Sequence, residues 1–178
     1  MSYIETERLI VRTWMPSDAA DLAAIYGDPQ TMKYILSGVK TPEQTRTLIA
    51  DMMEAHDRDG CSIWPVIRKD NSELIGSCGL MKTAQAKELE LGFAFAPKGR
   101  GSGYAFEAAR AVLDFGFEQL HATSVIALVH PFNAPAIALV NRLGMRFDRV
   151  TRAFRGSRGG DYLRYVAVAM SRGPASRS

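Results

Sequence analysis

The feature that most constrains this 178-residue chain is an apolar segment that passes through a proline and a glycine-rich turn into a helical pattern. The stretch reads Phe93-Ala94-Phe95-Ala96-Pro97-Lys98-Gly99-Arg100-Gly101-Ser102-Gly103-Tyr104-Ala105-Phe106-Glu107-Ala108. Glycines at alternate positions allow positive φ angles and close approach of the backbone to a bound group. The helix that follows adds unpaired N–H groups and a partial positive charge at its N-terminus. We therefore predict a strand, an anion-binding turn and a helix, with phosphate as the bound group.

Two commoner phosphate loops do not fit this stretch. The chain has no G-x-x-x-x-G-K-[ST], and G-x-G-x-x-G fails because Tyr104 and Phe106 stand where the third glycine is needed. A mononucleotide P-loop or a Rossmann turn is therefore not expected.

The turn resembles the Q/R-x-x-G-x-G/A signature of the GNAT acetyltransferases. The matching residues are Arg100, Gly101, Ser102, Gly103, Tyr104 and Ala105. Three further stretches resemble the same family in the same order: Thr6–Arg12, Asp28–Ile35, and Asn133–Ala136 followed by Arg142–Met145. Together they cover residues 6 to about 170 and are similar to the branch that contains the ribosomal-protein alanine N-acetyltransferases.

The resemblance implies a single-domain α/β fold, which some schemes class as α+β. This is a three-layer sandwich around a mixed, mostly antiparallel sheet of about seven strands, splayed at its central parallel pair. We expect the domain to occupy residues 1–170 and the tail, residues 171–178, to be disordered.

Hydrophobic periodicity and turn residues place the elements of this fold. The predicted strands are Leu9–Trp14, Ser62–Arg68, Leu74–Met81, Lys87–Phe95, Ser124–Val129, Arg146–Phe154 and Tyr162–Met170. The predicted helices run from Pro16 or Ser17 to Tyr26, from a capping box at Thr41 to Arg58, from Gly103 to Gln119 and from Asn133 to Leu143, with a short turn of helix at Thr31–Ile35. In Lys87–Phe95 the odd positions are large and apolar, whereas the even positions leave an open face.

Charge is distributed unequally along the chain. Residues 1–90 carry 10 basic and 14 acidic side chains, and residues 91–178 carry 12 and 5. The half that contains the glycine turn is therefore the positive one, which suits a polyanionic cofactor, and would also suit an acidic or RNA-bound partner. Seven arginines lie between residues 142 and 164 of this half, several of them three residues apart: Arg142, Arg146, Arg149, Arg152, Arg155, Arg158 and Arg164.

Other compositional features narrow the class of protein. Cys61 and Cys78 lie beside predicted strands and form no C-x-x-C pair, so we expect buried, reduced thiols and no metal site. Charged residues near the start and the lack of a long apolar run predict a cytoplasmic protein that does not enter a membrane. Direct binding of DNA is not expected, and a homodimer through the last hairpin is one possible assembly.

The resemblance implies that acetyl-coenzyme A lies between the splayed strands and gives its acetyl group directly to an amine. The residues expected to hold it are Phe93, Ala94, Phe95, Arg100, Gly101, Ser102, Gly103, Tyr104, Ala105, Asn133 and Ala136. A backbone N–H between Gly92 and Phe95 is the family's donor to the oxyanion.

Two side chains are candidates for the base that removes a proton from the amine. Glu90 lies on the open face of its strand and would act directly or through water; the alternative is a solvated carboxylate paired with Lys87 or an arginine. His130 precedes the Asn133 motif and is the second candidate, the alternative being a structural histidine.

The sequence departs from the family at the group that protonates the leaving thiolate. Relatives carry a tyrosine seven residues after the motif asparagine, or a serine three residues after it. Here these positions are Val140 and Ala136. Water, Tyr165 or Tyr104 are the remaining sources of a proton.

Three hypotheses for the function remain open, two of which differ in the acceptor. Because an α-amine with a pKa near 7.8 needs about 3.5 kcal/mol less help to deprotonate than a lysine near 10.4, a protein N-terminus is the leading candidate. The alternatives are a small-molecule amine (antibiotic, polyamine or amino acid), or a non-catalytic sensor of acyl-coenzyme A. Met32, Tyr34 and Met52 are candidate acceptor contacts, with core packing as the alternative.

Overall fold

The structure is a computed structural model that describes residues 4–155 and 158–169. In this part of the chain, eight strands and four α-helices alternate with short turns. The strands are β1 (Ile4–Glu5), β2 (Leu9–Val11), β3 (Ile63–Arg68), β4 (Leu74–Lys82), β5 (Glu88–Phe95), β6 (Ser124–Val129), β7 (Arg146–Arg155) and β8 (Arg158–Val168). The helices are α1 (Ala19–Tyr26), α2 (Pro42–Asp59), α3 (Tyr104–Glu118) and α4 (Ala134–Arg142).

The strands form one mixed sheet in the order β1-β2-β3-β4-β5-β6-β8-β7. Every neighbouring pair is antiparallel except β5 and β6, which are parallel. This pair meets only from Glu88 opposite Ser124 to Glu90 opposite Ile126. Beyond that point β5 stays paired with β4 up to Phe95, and β6 stays paired with β8 up to Val129. The sheet therefore opens into a cleft between Leu91–Phe95 and Ala127–Val129, as the sequence predicts.

Two hydrophobic cores cover the two faces of the sheet and make three layers. The first lies under α3 and α4 and takes Leu89, Leu91 and Phe95 from β5. The second lies under α1 and α2 and takes Ala94 from the opposite face of the same strand. The alternation predicted for β5 is thus confirmed, because successive side chains of a strand point to opposite faces.

Local sequence explains where the helices begin and end. Thr41 caps α2 by accepting from the Gln44 N–H at 3.2 Å, while the Gln44 side chain accepts from the Thr41 N–H at 2.9 Å. Asn133 caps α4 by accepting from the Ala136 N–H at 3.3 Å, and Gly144 follows that helix with a φ of 82°. The capping box and both helix ends are as predicted.

The structure also corrects the prediction in several places. Ile4–Glu5 pairs with β2 and makes the sheet eight-stranded, where about seven strands were expected. The first predicted strand ends at Val11 because Arg12 turns to form an ion pair with Asp18 at 2.8 Å.

The predicted helical turn at Thr31–Ile35 is wrong. The segment forms successive turns instead, in which the Met32 N–H donates to the Asp28 carbonyl at 3.0 Å and the Ile35 N–H to the Met32 carbonyl at 3.1 Å. The Asp28 carboxylate accepts from the backbone of Gln30 and Thr31, as an N-cap does, but no helix continues from it. The predicted tail at 171–178 lies outside the described residues.

Candidate active site

The glycine turn has the backbone geometry that its sequence predicts. Gly101 and Gly103 have φ angles of 78° and 81°, a region that favours glycine over residues with a side chain. Gly103 is the N-cap of α3, and no backbone hydrogen bond among the described residues uses the N–H groups of Gly101, Ser102 or Gly103. The turn therefore presents unpaired donors next to the positive end of a helix, which suits a phosphate.

The N-terminal motif supports this turn from behind. The Arg8 guanidinium donates to the Ser102 carbonyl at 3.0 Å and to the Glu107 carboxylate at 2.7 Å. Thr6 also donates to Glu107, at 2.5 Å. Burial raises the pKa of Glu107, but the hydrogen bonds from Thr6 and Arg8 outweigh it, so that the pKa lies below its usual value. The motif thus fixes the shape of the turn.

A groove of about 620 Å³ begins at the glycine turn and runs between β5 and α4. Nine of the eleven residues predicted to bind the cofactor line it: Phe93, Ala94, Phe95, Arg100, Gly101, Gly103, Ala105, Asn133 and Ala136. Ser102 and Tyr104 do not, and the Tyr104 ring lies against the Arg8 guanidinium at 4.5 Å. Roles for all eleven in binding remain predictions.

Two polar contacts at the groove escaped the sequence analysis. Arg142 of α4 stacks on the Phe106 ring at 3.9 Å, and both residues line the groove. Arg100 donates to the Phe95 carbonyl at 2.9 Å and to the Thr31 hydroxyl at 3.2 Å. Arg142 and Phe106, like Arg100 and Thr31, are distant in sequence, whereas Arg100 and Phe95 are only five residues apart. The position of Phe106 in the first turn of α3 was a usable signal.

A second, smaller cavity of about 190 Å³ lies on the α1 and α2 side of the sheet. Glu90, Gly92 and Ala94 of β5 line it together with side chains from almost every other element, among them Tyr26, Tyr34, Met52, Ser77, His130 and Tyr162. Two of the three predicted acceptor contacts, Tyr34 and Met52, are therefore at this cavity. Met32 lies in the second core and lines neither space.

The groove and the cavity meet. Six residues line both of them: Tyr34, Ile35, Phe93, Ala94, Asn133 and Ala136. We call this set the junction. A group held in the groove and a second molecule held in the cavity would touch here.

Glu90 and its neighbour Glu88 lie on the same face of β5 but in different surroundings. The Glu88 carboxylate is buried against the Arg164 guanidinium at 2.6 Å, and Arg164 also pairs with Asp148. Glu90 is half-buried and lines the cavity. It lies about 10 Å along the strand from Phe93, so a reaction at the junction would reach it through water.

His130 is brought to the cavity, next to the junction. Its Nδ1 accepts a hydrogen bond from the Phe132 N–H at 3.2 Å. In neutral histidine the proton is then on Nε2, which makes the ring a donor toward its surroundings. This hydrogen bond favours Glu90 over His130 as the base.

The two tyrosines considered as acids lie away from both spaces. Tyr165 is buried in the core beneath α3 and α4, with its ring 5.9 Å from that of Phe147. Tyr104 packs on arginines behind the glycine turn. The hydroxyls of Tyr26 and Ser77, by contrast, line the cavity and are hydrogen-bonded at 2.7 Å, and Ser77 lies opposite Ala94 of the junction on the neighbouring strand.

The open edge of β5 supplies a backbone donor to the junction. The Ala96 N–H donates to the Ile75 carbonyl on β4. Because N–H groups alternate between the two edges of a strand, those of Phe93 and Phe95 point away from β4 and into the cleft. Phe93 belongs to the junction, so its N–H is placed to stabilise a negative oxygen there.

These features match a known family: the model for the acetyltransferase (GNAT) domain aligns with residues 8–146. The chain belongs to the GNAT acetyltransferase family. A curated relative, the uncharacterized N-acetyltransferase YnaD of Bacillus subtilis, is 32% identical over 144 residues, which are 81% of this chain and 82% of YnaD.

Solved structures agree with the fold of this GNAT domain. A GNAT-family acetyltransferase from Bacillus anthracis superposes with a TM-score of 0.83 at 30% identity, over 94% of this chain and 98% of that one. The ribosomal L7/L12 alpha-N-protein acetyltransferase RimL, in complex with coenzyme A, gives 0.81 at 13% identity, over 94% and 98%. The second likeness concerns the fold alone.

The GNAT chain is therefore an acetyl-coenzyme A-dependent N-acetyltransferase. The unpaired N–H groups at the glycine turn and the adjoining groove fit the diphosphate and the extended arm of that cofactor. Among the described residues, no cluster of His, Cys, Asp and Glu side chains is suited to a metal ion. None of the helices described there is long and apolar enough to cross a bilayer.

Proposed function

We propose that the acceptor of this N-acetyltransferase is the α-amine of a protein N-terminus. The observation that carries the proposal is the distance between the junction and its base. Glu90 is about 10 Å along β5 from Phe93, the junction residue nearest to it on that strand, and His130 is held as a donor. Because the base can be reached only through water, the site suits an amine that is already partly neutral near pH 7. An α-amine meets this condition and a lysine side chain does not.

The size of the cavity supports the same acceptor. At about 190 Å³ it is smaller than the roughly 300 Å³ at which pockets for whole drug-sized molecules begin. An antibiotic therefore does not fit as a whole, whereas the first residue of a protein fits with the rest of the chain outside. RimL shares the fold, and its name describes it as an alpha-N-protein acetyltransferase.

Residues of the groove, the junction and the cavity then have separate roles in the transfer. When bound, acetyl-coenzyme A supplies the thioester that the amine attacks. The turn at Gly101–Gly103 and the start of α3 hold its phosphates, and Asn133 and Ala136 line the path of its arm. The Phe93 N–H donates to the oxygen that becomes negative, and Glu90 receives the proton of the amine through water.

The acceptor is tested by measuring thiol release with acetyl-coenzyme A against a matched panel. Peptides with a free N-terminus should give the highest kcat/KM. The same peptides acetylated at the N-terminus but carrying an internal lysine should be inactive. Faster transfer to a polyamine, an aminoglycoside or a free amino acid would overturn the assignment. Tight binding of coenzyme A without transfer to any amine would favour a sensor.

Exposed basic side chains on the edge strand β7, which β8 separates from the cleft wall β6, would suit an acidic or RNA-rich acceptor. Arg146, Arg149 and Arg152 of β7 are exposed, in contrast to the buried Arg164. The side chains of Arg155 and Arg158 lie outside the description. We expect the KM for the acceptor to rise with salt while the affinity for a neutral dipeptide changes little; a KM unaffected by salt would remove this part of the proposal.

A further inference from the structure

Transfer of the acetyl group requires a proton for the departing sulfur, and the structure shows which residues line the junction where that sulfur would lie. The inference rests on the proposed transfer from acetyl-coenzyme A to an amine. Because the cofactor occupies the groove and the acceptor the cavity, the carbon–sulfur bond must break at the junction, where the two spaces meet.

The junction contains few polar side chains. Ile35, Phe93, Ala94 and Ala136 offer no acidic proton, and the Asn133 side chain already caps α4 through its oxygen. The remaining member is Tyr34. It is the one residue of the junction whose side chain ends in a hydroxyl.

The positions that usually supply this proton in the family are filled by residues that have none. Val140 is fully buried in the core beneath α3 and α4, and Ala136 lines the junction with a methyl group. Tyr34 reaches the same place from another element, the segment between α1 and α2. A hydroxyl is thus present at the junction, but it comes from a different position in the sequence than the one used in the family.

Two contacts hold the ring of Tyr34. It packs against that of His130, with the centroids 5.1 Å apart, and the Lys33 ammonium lies 5.0 Å from its centroid. The His130 ring in turn meets Tyr162 edge-on at 5.6 Å. His130 is itself fixed by the hydrogen bond from Phe132. At the start of the segment, the Thr31 hydroxyl donates to Asp28 at 2.6 Å and accepts from Arg100 at 3.2 Å. A phenol anchored in this way is preorganised, which is what proton transfer requires.

We propose that Tyr34 is the general acid that protonates the leaving thiolate. The amine nitrogen forms a bond to the acyl carbon, and the carbon–sulfur bond breaks with its electron pair going to sulfur. The Tyr34 O–H gives its proton to that sulfur, and the nitrogen loses one proton through water to Glu90. Both groups then return to their starting states by exchange with solvent, leaving an amide and a free thiol.

Kinetics of Tyr34→Phe give the first test. This change removes one oxygen and keeps the ring that packs on His130, so it should lower kcat at least about tenfold and change the KM for acetyl-coenzyme A less than twofold. Tyr165→Phe is the matched control, because that tyrosine lies outside both spaces; its kcat should stay within twofold of the unchanged enzyme. A Tyr34→Phe enzyme with unaltered kcat would overturn the proposal.

Calorimetry gives a second test that does not depend on turnover. If the Tyr34 hydroxyl meets the sulfur, Tyr34→Phe should weaken binding of coenzyme A by roughly 2- to 12-fold, the value of one hydrogen bond. Binding of desulfo-coenzyme A, which lacks the sulfur, should be the same in both proteins. If Tyr34→Phe weakened the binding of both ligands equally, Tyr34 would only line the groove and would not act as an acid. If it weakened the binding of neither, the proposal would also be contradicted.

The two proposals fail in different ways. An unchanged enzyme that transfers acetyl groups to a small amine, with a Tyr34→Phe variant that is tenfold slower, would overturn the N-terminal acceptor and leave Tyr34 as the acid. An enzyme active on N-terminal peptides whose Tyr34→Phe variant is equally fast would do the reverse. An enzyme that transfers to no amine would overturn both.

Discussion

The cofactor groove and the acceptor cavity are adjacent, yet the chain builds them in different ways. Nine of the nineteen residues that line the groove come from one continuous stretch, Phe93 to Phe106, whose glycine turn presents backbone N–H groups. The cavity collects side chains from α1, α2, α4 and the strands β3, β4, β5, β6 and β8. A site made of backbone tolerates many side chains as long as its glycines remain, whereas a site made of side chains changes with each substitution. The first therefore suits an unchanging cofactor, and the second suits an acceptor that differs between relatives.

The strongest test of this difference is a charge placed on the backbone site. Gly101→Glu should weaken coenzyme A binding at least about 100-fold in calorimetry, because a carboxylate about 4 Å from a phosphate costs about 4 kcal/mol at an effective dielectric of 20. Gly144→Glu is the matched control, since Gly101 and Gly144 both have a positive φ, of 78° and 82°, with open space around them. The control should lose a similar amount of stability and keep its affinity for coenzyme A. Unaltered binding by Gly101→Glu would refute the role of the turn.

The next test concerns the two carboxylates on one face of β5. Glu90→Gln should reduce kcat at least about tenfold at neutral pH and alter the pH dependence of the rate, without changing coenzyme A affinity. Glu88→Gln should instead lower the melting temperature, because it weakens a buried ion pair with Arg164. The assignment fails if the rate–pH profile of Glu90→Gln matches that of the unchanged enzyme.

A smaller effect is expected at the Tyr26–Ser77 pair, which lines the acceptor cavity but not the groove. Burial raises the pKa of Tyr26 above its usual value, so the hydroxyl stays protonated and can serve as a donor to the acceptor. Tyr26→Phe should lower kcat/KM for the acceptor by roughly 2- to 12-fold and leave coenzyme A binding unchanged. Ser77→Ala, which removes the partner hydroxyl, should act in the same direction. A change in coenzyme A affinity in either variant would contradict the assignment of these hydroxyls to the acceptor cavity alone.

The smallest effect is expected behind the glycine turn. The lowered pKa of Glu107 means that its ion pair with Arg8 stabilises the fold above the ordinary carboxyl pKa, and that this contribution is lost as the pH falls through the lowered value. Glu107→Gln should therefore be less stable than the unchanged protein at pH 7, and the difference should shrink toward pH 3. Denaturant titrations at several pH values measure it; a constant difference would contradict the linkage.

The features that could be predicted from the sequence are those determined by residues close together in the chain. The turn, the start of α3 and the capping box of α2 followed from patterns within a few residues of each other, whereas the parallel pair came from the resemblance to the family. The position of Tyr34 at the junction could not be predicted, because it depends on the path of the segment after α1, which forms successive turns. The partner of Glu88 also needed the fold, since Arg164 is far along the chain. Long-range contacts between polar side chains leave no periodic signal in a single sequence.

The order of the strands has a consequence for where the chain can be cut. The family model ends at residue 146, but β8 is inserted between β6 and β7 and pairs with β6 from Ser124 to Val129. A chain shortened to that boundary would expose the outer edge of β6, a row of free peptide groups flanked by apolar side chains, and would invite aggregation. It would also lose Tyr162 and the cation that neutralises Glu88. The last hairpin is thus a part of the catalytic unit and not an appendage to it.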